Sequence, residues 1–456
     1  MSLETRHTGS SKLRGGASIS SGSLGPSYKW WVVFMLWWVC FLNYADRQAI
    51  GSVVPLLARD FEFDAVQLGL IGSSFAWVYA LMAPTAGLMA DRAVRKRLLV
   101  WACVVWSFFT LATAWCGNLW MFVTVRALTG LGETFYFPAA MALISDYHGS
   151  RSRSRAMSWH QSAVYAGTIL GSWIAALLAE RQGWRVPFFL FGPLGFALAV
   201  VLWQCLREPQ RGAAEDPNQA PLPESGAPLS VGETLRQILR TPAALLLMGA
   251  FLCANFVAVI FLTWTPTFLV QKFHYNIGAA GLTGTFYIHL ASALAVPFAG
   301  WLADRLVRHQ ATGRMLVQTL GLLAGAAFVF VVGNTDNTTT LLLAMTCFGL
   351  CKGFYDSGIF ASLYDAIEPR ARGTAAGLMN SIGWGGGALG PLFVGFASKY
   401  GGKPSALENM SNAIAFGALF YLAAAACLIG AMLVFRKRNR LTQKWPTPMD
   451  SAESKV

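Results

Sequence analysis

Charge is what this sequence has least of. Only 12% of its 456 residues are Asp, Glu, Lys or Arg, against about one quarter in an ordinary soluble domain. Hydrophobic residues make up 55%, and a soluble chain of that balance could not cover its surface, so the expected solvent is a lipid bilayer. Paired cysteines are missing too. Cys40, Cys103, Cys116, Cys205, Cys253, Cys347, Cys351 and Cys427 are scattered and form no CxxC, so burial as small hydrophobes is expected over disulfides or metal ligands. There is no GKS or GKT of a phosphate loop, and neither GxSG nor HExxH occurs. Nucleotide-driven pumping and intramembrane hydrolysis therefore lack their motifs, and we expect no enzyme, metal or cofactor. Residues 1–28 are basic and rich in Ser and Gly without an apolar core, which reads as a disordered cytoplasmic tail and not a signal peptide. The net charge of +13 does not point to nucleic acid, because the basic residues gather in short loops between apolar runs.

What the sequence has in quantity is apolar length. A spanning helix needs about 20 mostly apolar residues. Twelve such segments are predicted, near 30–56, 67–90, 98–116, 119–145, 156–179, 186–206, 243–270, 280–303, 312–333, 339–362, 373–397 and 411–435. The expected fold is an all-α membrane protein of two pseudo-symmetric six-helix bundles, 29–206 and 243–435, joined by a polar linker, 207–242, and followed by a tail, 436–456. Arg92, Arg95, Lys96, Arg97, Arg151, Arg153, Arg155, Arg305, Arg308, Arg314, Arg370 and Arg372 fall on one side with both tails and the linker. By the positive-inside rule that side is cytoplasmic.

The two halves repeat. "APTAGLMADRAVRKR" ends the second span and "VPFAGWLADRLVRHQ" the eighth, matching Pro84 to Pro297, Gly87 to Gly300, Asp91 to Asp304 and Arg95 to Arg308. "GLGETFY" in the fourth span matches "GLCKGFY" in the tenth. Parallel repeats of this kind mark one transporter architecture. Asp91 can accept from backbone amides at a neighbouring helix start. Arg92 and Arg95 can pair with acids at other cytoplasmic helix ends, with Asp146 a candidate, and by the repeat Asp304 and Arg308 take the parts of Asp91 and Arg95. Such pairs could latch the halves together when the cavity faces outward, beside their plain topological role.

Ionisable residues inside a span are functional hypotheses by default. Here they are Asp46 and Arg47, Arg126 and Glu133, Lys352 and Asp356, with His160 and His289. Arg126, Gly130 and Glu133 share a helix face, as do Asn43 and Arg47, while Asp46 is turned about 100° from Arg47. One arrangement puts Asp46 against Arg126, Arg47 toward a central cavity and Glu133 deeper, as a proton carrier. A purely structural Asp46–Arg126 pair, a snorkelling Arg47 and an Arg126–Glu133 pair are the alternatives. Lys352 occupies the repeat position of Glu133 and either meets substrate or pairs with Asp356. His160 could relay protons, bind substrate or simply pack; Trp384 and Tyr355 could line the cavity or pack helices.

Over nearly its whole length the chain resembles the major facilitator superfamily, whose signature between the second and third spans is matched by "GLMADRAVRKR", with departures at Met89 and Val94. "LNYADR", "RALTGLGETFYFPAA", "GWR" and "MNSIGW" resemble the anion:cation symporter group, which includes sugar-acid transporters. That resemblance implies proton carriage by Asp46 and Glu133, with Arg126 beside them. It also implies substrate binding by Arg47, Tyr44, Gln161 and Asn380, and the expected agents are a small organic anion and protons. "GETFYFPAAMALISDYH", "RSRAMS" and "SLYDAIEPRARGTAAGLMN" resemble spinster-like transporters equally closely, which would make the substrate a lysolipid or other amphiphile. The expectation is a monomer driven by the proton gradient, in a bacterial inner membrane.

Overall fold

The computed structural model describes residues 26–149, 152–209, 231–367 and 372–444. The tail ahead of residue 26, most of the linker, Arg151, Arg370 and the end of the C-terminal tail lie outside the described residues. The described residues are helical, without strands. The first half holds α1 (Pro26–Phe61), α2 (Ala65–Arg92), α3 (Arg95–Thr113), α4 (Leu119–Thr134), α5 (Tyr136–Tyr147), α6 (Arg153–Gln182) and α7 (Val186–Cys205). A short α8 (Val231–Leu239) falls within the linker. The second half holds α9 (Pro242–Phe273), α10 (Ile277–Val307), α11 (Gly313–Asn334), α12 (Thr338–Asp356), α13 (Ile359–Ala366), α14 (Arg372–Tyr400) and α15 (Ala406–Lys444).

Among the described residues, nine stretches are long and apolar enough to cross a membrane. The twelve-span reading adds α1, α12 with α13, and α14, which carry the polar and glycine-rich runs around Asp46, Lys352 and Gly385. The fourth and tenth segments, each expected as one span, are broken. Pro138 lacks an N–H for the Thr134 carbonyl four residues back, and α4 ends at Thr134. The tenth breaks as well, at Ser357 and Gly358, about three residues beyond the position that matches Phe135.

The repeat is written into the helix starts. Asp64 caps α2 and Asn276 caps the equivalent α10; Asn118 caps α4 and Asn337 caps the equivalent α12, each side chain accepting an orphan amide of the first turn. Asp64 and Gln67 form a full capping box. The repeated "GLG" and "GLC" motifs also have one cause. A Cβ on Gly130 of α4 would meet the Phe75 carbonyl oxygen of α2 at 2.6 Å, and one on Gly349 of α12 would collide with the Ile288 carbonyl of the equivalent α10. Both glycines let a helix pair close to backbone contact, the geometry that small residues permit inside a bilayer.

Tyr28, at the start of α1, donates to Cys205 O at the end of α7, so the N-terminus and the end of α7 share one end of the bundle, here called the basic end. Phe61, Phe63, Phe122 and Trp184 cluster at the other. The halves are sealed at that opposite end. Lys399 of α14 bonds Asp64 at 2.7 Å, Glu180 of α6 accepts from Gly278 N of α10 at 2.7 Å, and Gly281 of α10 lies against Ser172 of α6. The linker is anchored at its start, where the Glu208 carboxylate accepts from Arg95 N at 2.9 Å and Lys96 N at 2.7 Å, capping α3.

Replacing Gly349 by Val should overpack the α10–α12 contact and cost about 1–3 kcal/mol, read as a lower melting temperature of the purified protein. Gly377→Ala, where a Cβ meets nothing within 4 Å, should leave it unchanged.

Candidate functional site

Arg47 sits at the middle of α1 with only 8% of its surface exposed, and Glu133 near the end of α4 is fully buried. Arg47 Nε donates to Glu133 Oε2 at 2.9 Å and Nη2 donates to the same oxygen at 2.6 Å. Nη2 also reaches Asn43 Oδ1, one turn back on α1, at 3.3 Å. Four rings surround the guanidinium: Tyr44 at 4.6 Å, Phe75 at 4.8 Å, Trp384 at 5.1 Å and Tyr79 at 5.2 Å from their centroids. Such faces attract a cation most strongly where water is excluded. Trp384 belongs to the second half and meets Tyr79 of the first at 4.8 Å, so the box is closed only while the halves are together at this level. Two groups in the pair keep spare capacity, since Glu133 Oε1 and Arg47 Nη1 have no hydrogen-bond partner.

The arrangement differs from the expected one. Asp46 does not pair with Arg126. Its Oδ2 accepts the hydroxyl of Thr110 on α3, and its Oδ1 is unpartnered. Arg126 is buried, stands 5.1 Å over the Phe75 ring and leaves its Nε without a partner. Phe75 thus lies against two guanidinium groups. The expected divergence of Asp46 and Arg47 is what the helix produces, one toward α3 and the other toward α4. The register between α1 and α4 gives Glu133 to Arg47, an assignment that periodicity within one helix does not contain.

A cavity of about 190 Å³ lies between the halves. Tyr44, Arg47 and Gln161 line it from the first half, as do Lys352 and Trp384 from the second. Lys352 pairs with Asp356 one turn on, so it does both things the sequence left open: it faces the cavity and holds a local ion pair. Asn255 of α9, Gln48, Tyr165 and His289 also face it. Asn255 is the one amide within the apolar run "FLCANFVAVIFL", the signal by which the sequence marks it. A smaller recess of about 40 Å³ beside it is lined by Arg47, Arg126 and Thr263.

Two expected binding residues are elsewhere. His160 is fully buried and lies outside the cavity; its Nε2 is 2.8 Å from the Tyr136 hydroxyl, which donates to Leu36 O at 2.7 Å. The ring therefore braces α1, α5 and α6. Asn380 stands one turn before Trp384 on α14, partly buried, and is not in the cavity wall. Tyr355 is buried in helix packing, whereas Trp384 does line the cavity.

The expected latch residues form pairs inside each half. Arg95 pairs with Asp146 in the first half. In the second, Arg314 bridges Asp304 at 3.1 Å and Asp365 at 2.7 Å. Arg95 and Arg314 begin α3 and α11, and Asp146 and Asp365 end α5 and α13, so this tie too is repeated. Arg92 and Arg308 are exposed, and of Asp91 only the backbone, in the last turn of α2, is described. The pairs join one half to itself because the halves meet at the opposite end, through Asp64 and Lys399.

The buried pair makes a sharp stability test. Arg47→Met should strand the Glu133 carboxylate and cost about 3–5 kcal/mol, while Arg47→Met combined with Glu133→Leu should recover much of that loss. Melting of the purified variants in one detergent measures the difference; a double variant as unstable as the sum of the singles would refute the coupling.

Comparison with known proteins agrees with this architecture. A family model described as the Major Facilitator Superfamily matches residues 36–391 and 290–456. The chain is 29% identical over 392 residues to "Sodium-dependent phosphate transport protein 1, chloroplastic" of Arabidopsis thaliana, covering 82% of this chain and 76% of the relative. It is 24% identical over 396 residues to the "Probable galactarate/D-glucarate transporter GudP" of Escherichia coli (strain K12), covering 81% of this chain and 86% of the relative. Among solved structures, a bacterial homologue of the human lysosomal transporter Spinster, described as inward-facing and unoccupied, superposes with a TM-score of 0.79 at 22% identity, over 90% of this chain and 98% of that one. The protein is an integral, multi-pass membrane protein, and it belongs to the Major Facilitator Superfamily.

Proposed function

We propose that this protein is a secondary active transporter that carries a small organic anion, a sugar acid or other carboxylate, together with protons by alternating access. The observation that carries the reading is Arg47, which lines the cavity between the halves while holding Glu133 through two donors to one oxygen. A substrate carboxylate needs the same donors. A proton placed on Glu133 removes its claim on the guanidinium, so proton uptake and anion binding favour each other, which is the thermodynamic condition for symport. Asp46, held by Thr110, supplies a second buried carboxyl beside Arg126. Lys352 offers a second cation from the other half. Relatives named as galactarate/D-glucarate transporters in Escherichia coli and Bacillus subtilis, 24% and 26% identical, support the anion class and a bacterial inner membrane, while a relative named as a probable anion transporter of chloroplasts is 28% identical.

A cavity of about 190 Å³ with charged groups on both walls suits a sugar acid better than the long chain of a lysolipid. With the basic end cytoplasmic, the seal through Asp64 and Lys399 lies outside and the cavity belongs to an inward-facing state. Rocking the halves would open that seal and withdraw Trp384 from the Arg47 box. The cavity is complete within one chain, in keeping with a monomer, and the ion gradient replaces any cofactor.

Uptake of labelled glucarate into proteoliposomes should follow an imposed pH gradient and ignore a sodium gradient. Glu133→Gln and Asp46→Asn should lose gradient-driven accumulation yet keep substrate exchange. A Glu133→Gln variant that accumulates substrate as strongly as the parent would remove that residue from the coupling.

The outer seal has its own pH dependence. Partial burial alone would raise Asp64, but the hydrogen bonds from Lys399 and the Gln67 amide outweigh it and hold the carboxyl below its ordinary 3.8. A depressed value means the contact contributes fully above that range and is lost as pH falls through the folded value. Spin-label distances across this end should therefore lengthen only from about pH 4 downward. Asp64→Asn, which keeps a cap but not the charge, should shift the populations by no more than about fivefold, as for an exposed pair.

A further inference from the structure

A second cavity, of about 360 Å³, has no part in the site above. It lies between α1 and α6 at the basic end, lined by Trp30, Val33, Phe34, Trp37, Trp38 and Trp159. Its wall is apolar throughout. One indole N–H of this wall, Trp37 Nε1, is taken up by the protein: it donates to Ser162 Oγ at 2.9 Å, and that hydroxyl donates to Trp159 O at 2.7 Å. Phe34, Trp38 and Trp159 remain 48%, 43% and 60% exposed, so three large rings of the wall are open to the surroundings of the helices.

The groove has direction. Lys29 stands one turn before Val33 on α1, and Arg155 one turn before Trp159 on α6. Both cations are at the same end. Arg155 is exposed, and its guanidinium lies 5.1 Å over the Trp30 ring that closes that end of the groove. The inner end is shut. Phe41 stacks on Trp37 at 5.6 Å, and Gly167 and Gly171 of α6 bring their backbone against Phe41 and Ala45. The groove therefore runs from two cations toward the middle of the membrane and stops before the central cavity.

We propose that this groove is a binding site for an anionic glycerophospholipid of the cytoplasmic leaflet, with its phosphate at Arg155 and Lys29 and one acyl chain along the tryptophans. Charge complementarity selects the occupant. A zwitterionic lipid brings the same phosphate but sets its own ammonium beside Lys29 and Arg155, so a headgroup of net negative charge is favoured, and a soluble anion would leave the aromatic wall uncovered. The depth order, cations at the end of the helices and apolar wall toward their middle, is that of a bilayer lipid in place. Because the Phe41–Gly167 contact closes the way to Arg47, the lipid is a resident of the first half and not cargo.

Native mass spectrometry of the full-length protein, purified from vesicles with equal phosphatidylglycerol and phosphatidylcholine, tests this. The parent should retain phosphatidylglycerol selectively. Lys29→Gln with Arg155→Gln should lower that preference by about fivefold for each cation removed. Trp159→Ser should lower retention of both lipids. Arg308→Gln, an exposed basic residue of the other half, should change nothing. Undiminished preference in the double variant, or an equal loss in Arg308→Gln, would overturn the site. Displacement of the lipid by glucarate would overturn its separation from the transport cavity. Glucarate uptake in phosphatidylcholine vesicles alone reads the transport reading independently, since it needs no lipid at this groove.

Discussion

The bond between Arg47 and Glu133 is the constraint around which the rest is arranged. Two ions at this depth are tolerable only if each answers the other, because isolated charges out of water carry penalties of several kcal/mol. Two N–H donors on one carboxylate oxygen, an amide from Asn43 and four ring faces meet that requirement. The close helix packing follows from it. Gly130, one turn before Thr134 on α4, presses α4 onto Phe75 of α2, which brings the Phe75 ring to the guanidinium. Gly171 presses α6 onto α1 at Ala45, beside Asp46.

A charge pair is also a choice of partner, and that gives the structure its capacity to do work. Glu133 Oε1 and Arg47 Nη1 are both unpartnered, so neither ion is saturated by the other. Asp46 has one oxygen on Thr110 and one free, and Arg126 has a free Nε over Phe75. Fully satisfied networks rigidify a core, whereas a network with spare donors and acceptors can accept a proton or an anion without first breaking everything it holds. Trp384 adds dependence on conformation. It is the one wall of the Arg47 box contributed by the second half, so the electrostatic surroundings of Arg47 are tied to the relative position of the halves.

Much of this was legible in the sequence, and the reasons differ from residue to residue. The repeat was legible because the two halves solve the same packing problems with the same residue types. Gly130 and Gly349 meet equivalent helices. The motif match set Arg308 against Arg95, yet Arg308 is exposed and Arg314, six residues on, makes the tie to Asp365 that Arg95 makes to Asp146. The opposite directions of Asp46 and Arg47 were legible from 100° per residue alone. What a single helix cannot report is its register against a neighbour. The pairing of Arg47 with Glu133, and of Asp46 with Thr110, depends on how far α1 slides past α3 and α4. Thr110 was hidden for a second reason: its hydroxyl also lies 2.9 Å from Trp106 O, the usual partner of a threonine in an apolar helix. His160 shows an ambiguity that only structure resolves. An imidazole in a span allows chemistry or packing, and here its partner is a tyrosine that itself serves a backbone carbonyl.

The basic-end latch is not made in this conformation, and the physical reason is the end at which the halves are sealed. Charges at the basic end can bind their own half or the other, and the choice depends on which end of the bundle is closed. With the seal made by Asp64, Lys399, Glu180 and the close approach of Gly281 to Ser172, the basic ends are free to keep their partners within each half. Arg95 and Arg314 then hold each six-helix unit together as a body able to rock as one piece. Rigid halves and a weak, exposed seal form a consistent pair. Under the proposed alternating access, the intra-half ties on Asp146 and Asp365 are the ones to persist, whereas a contact such as Lys399–Asp64, exposed and worth little by itself, is cheap to make and break.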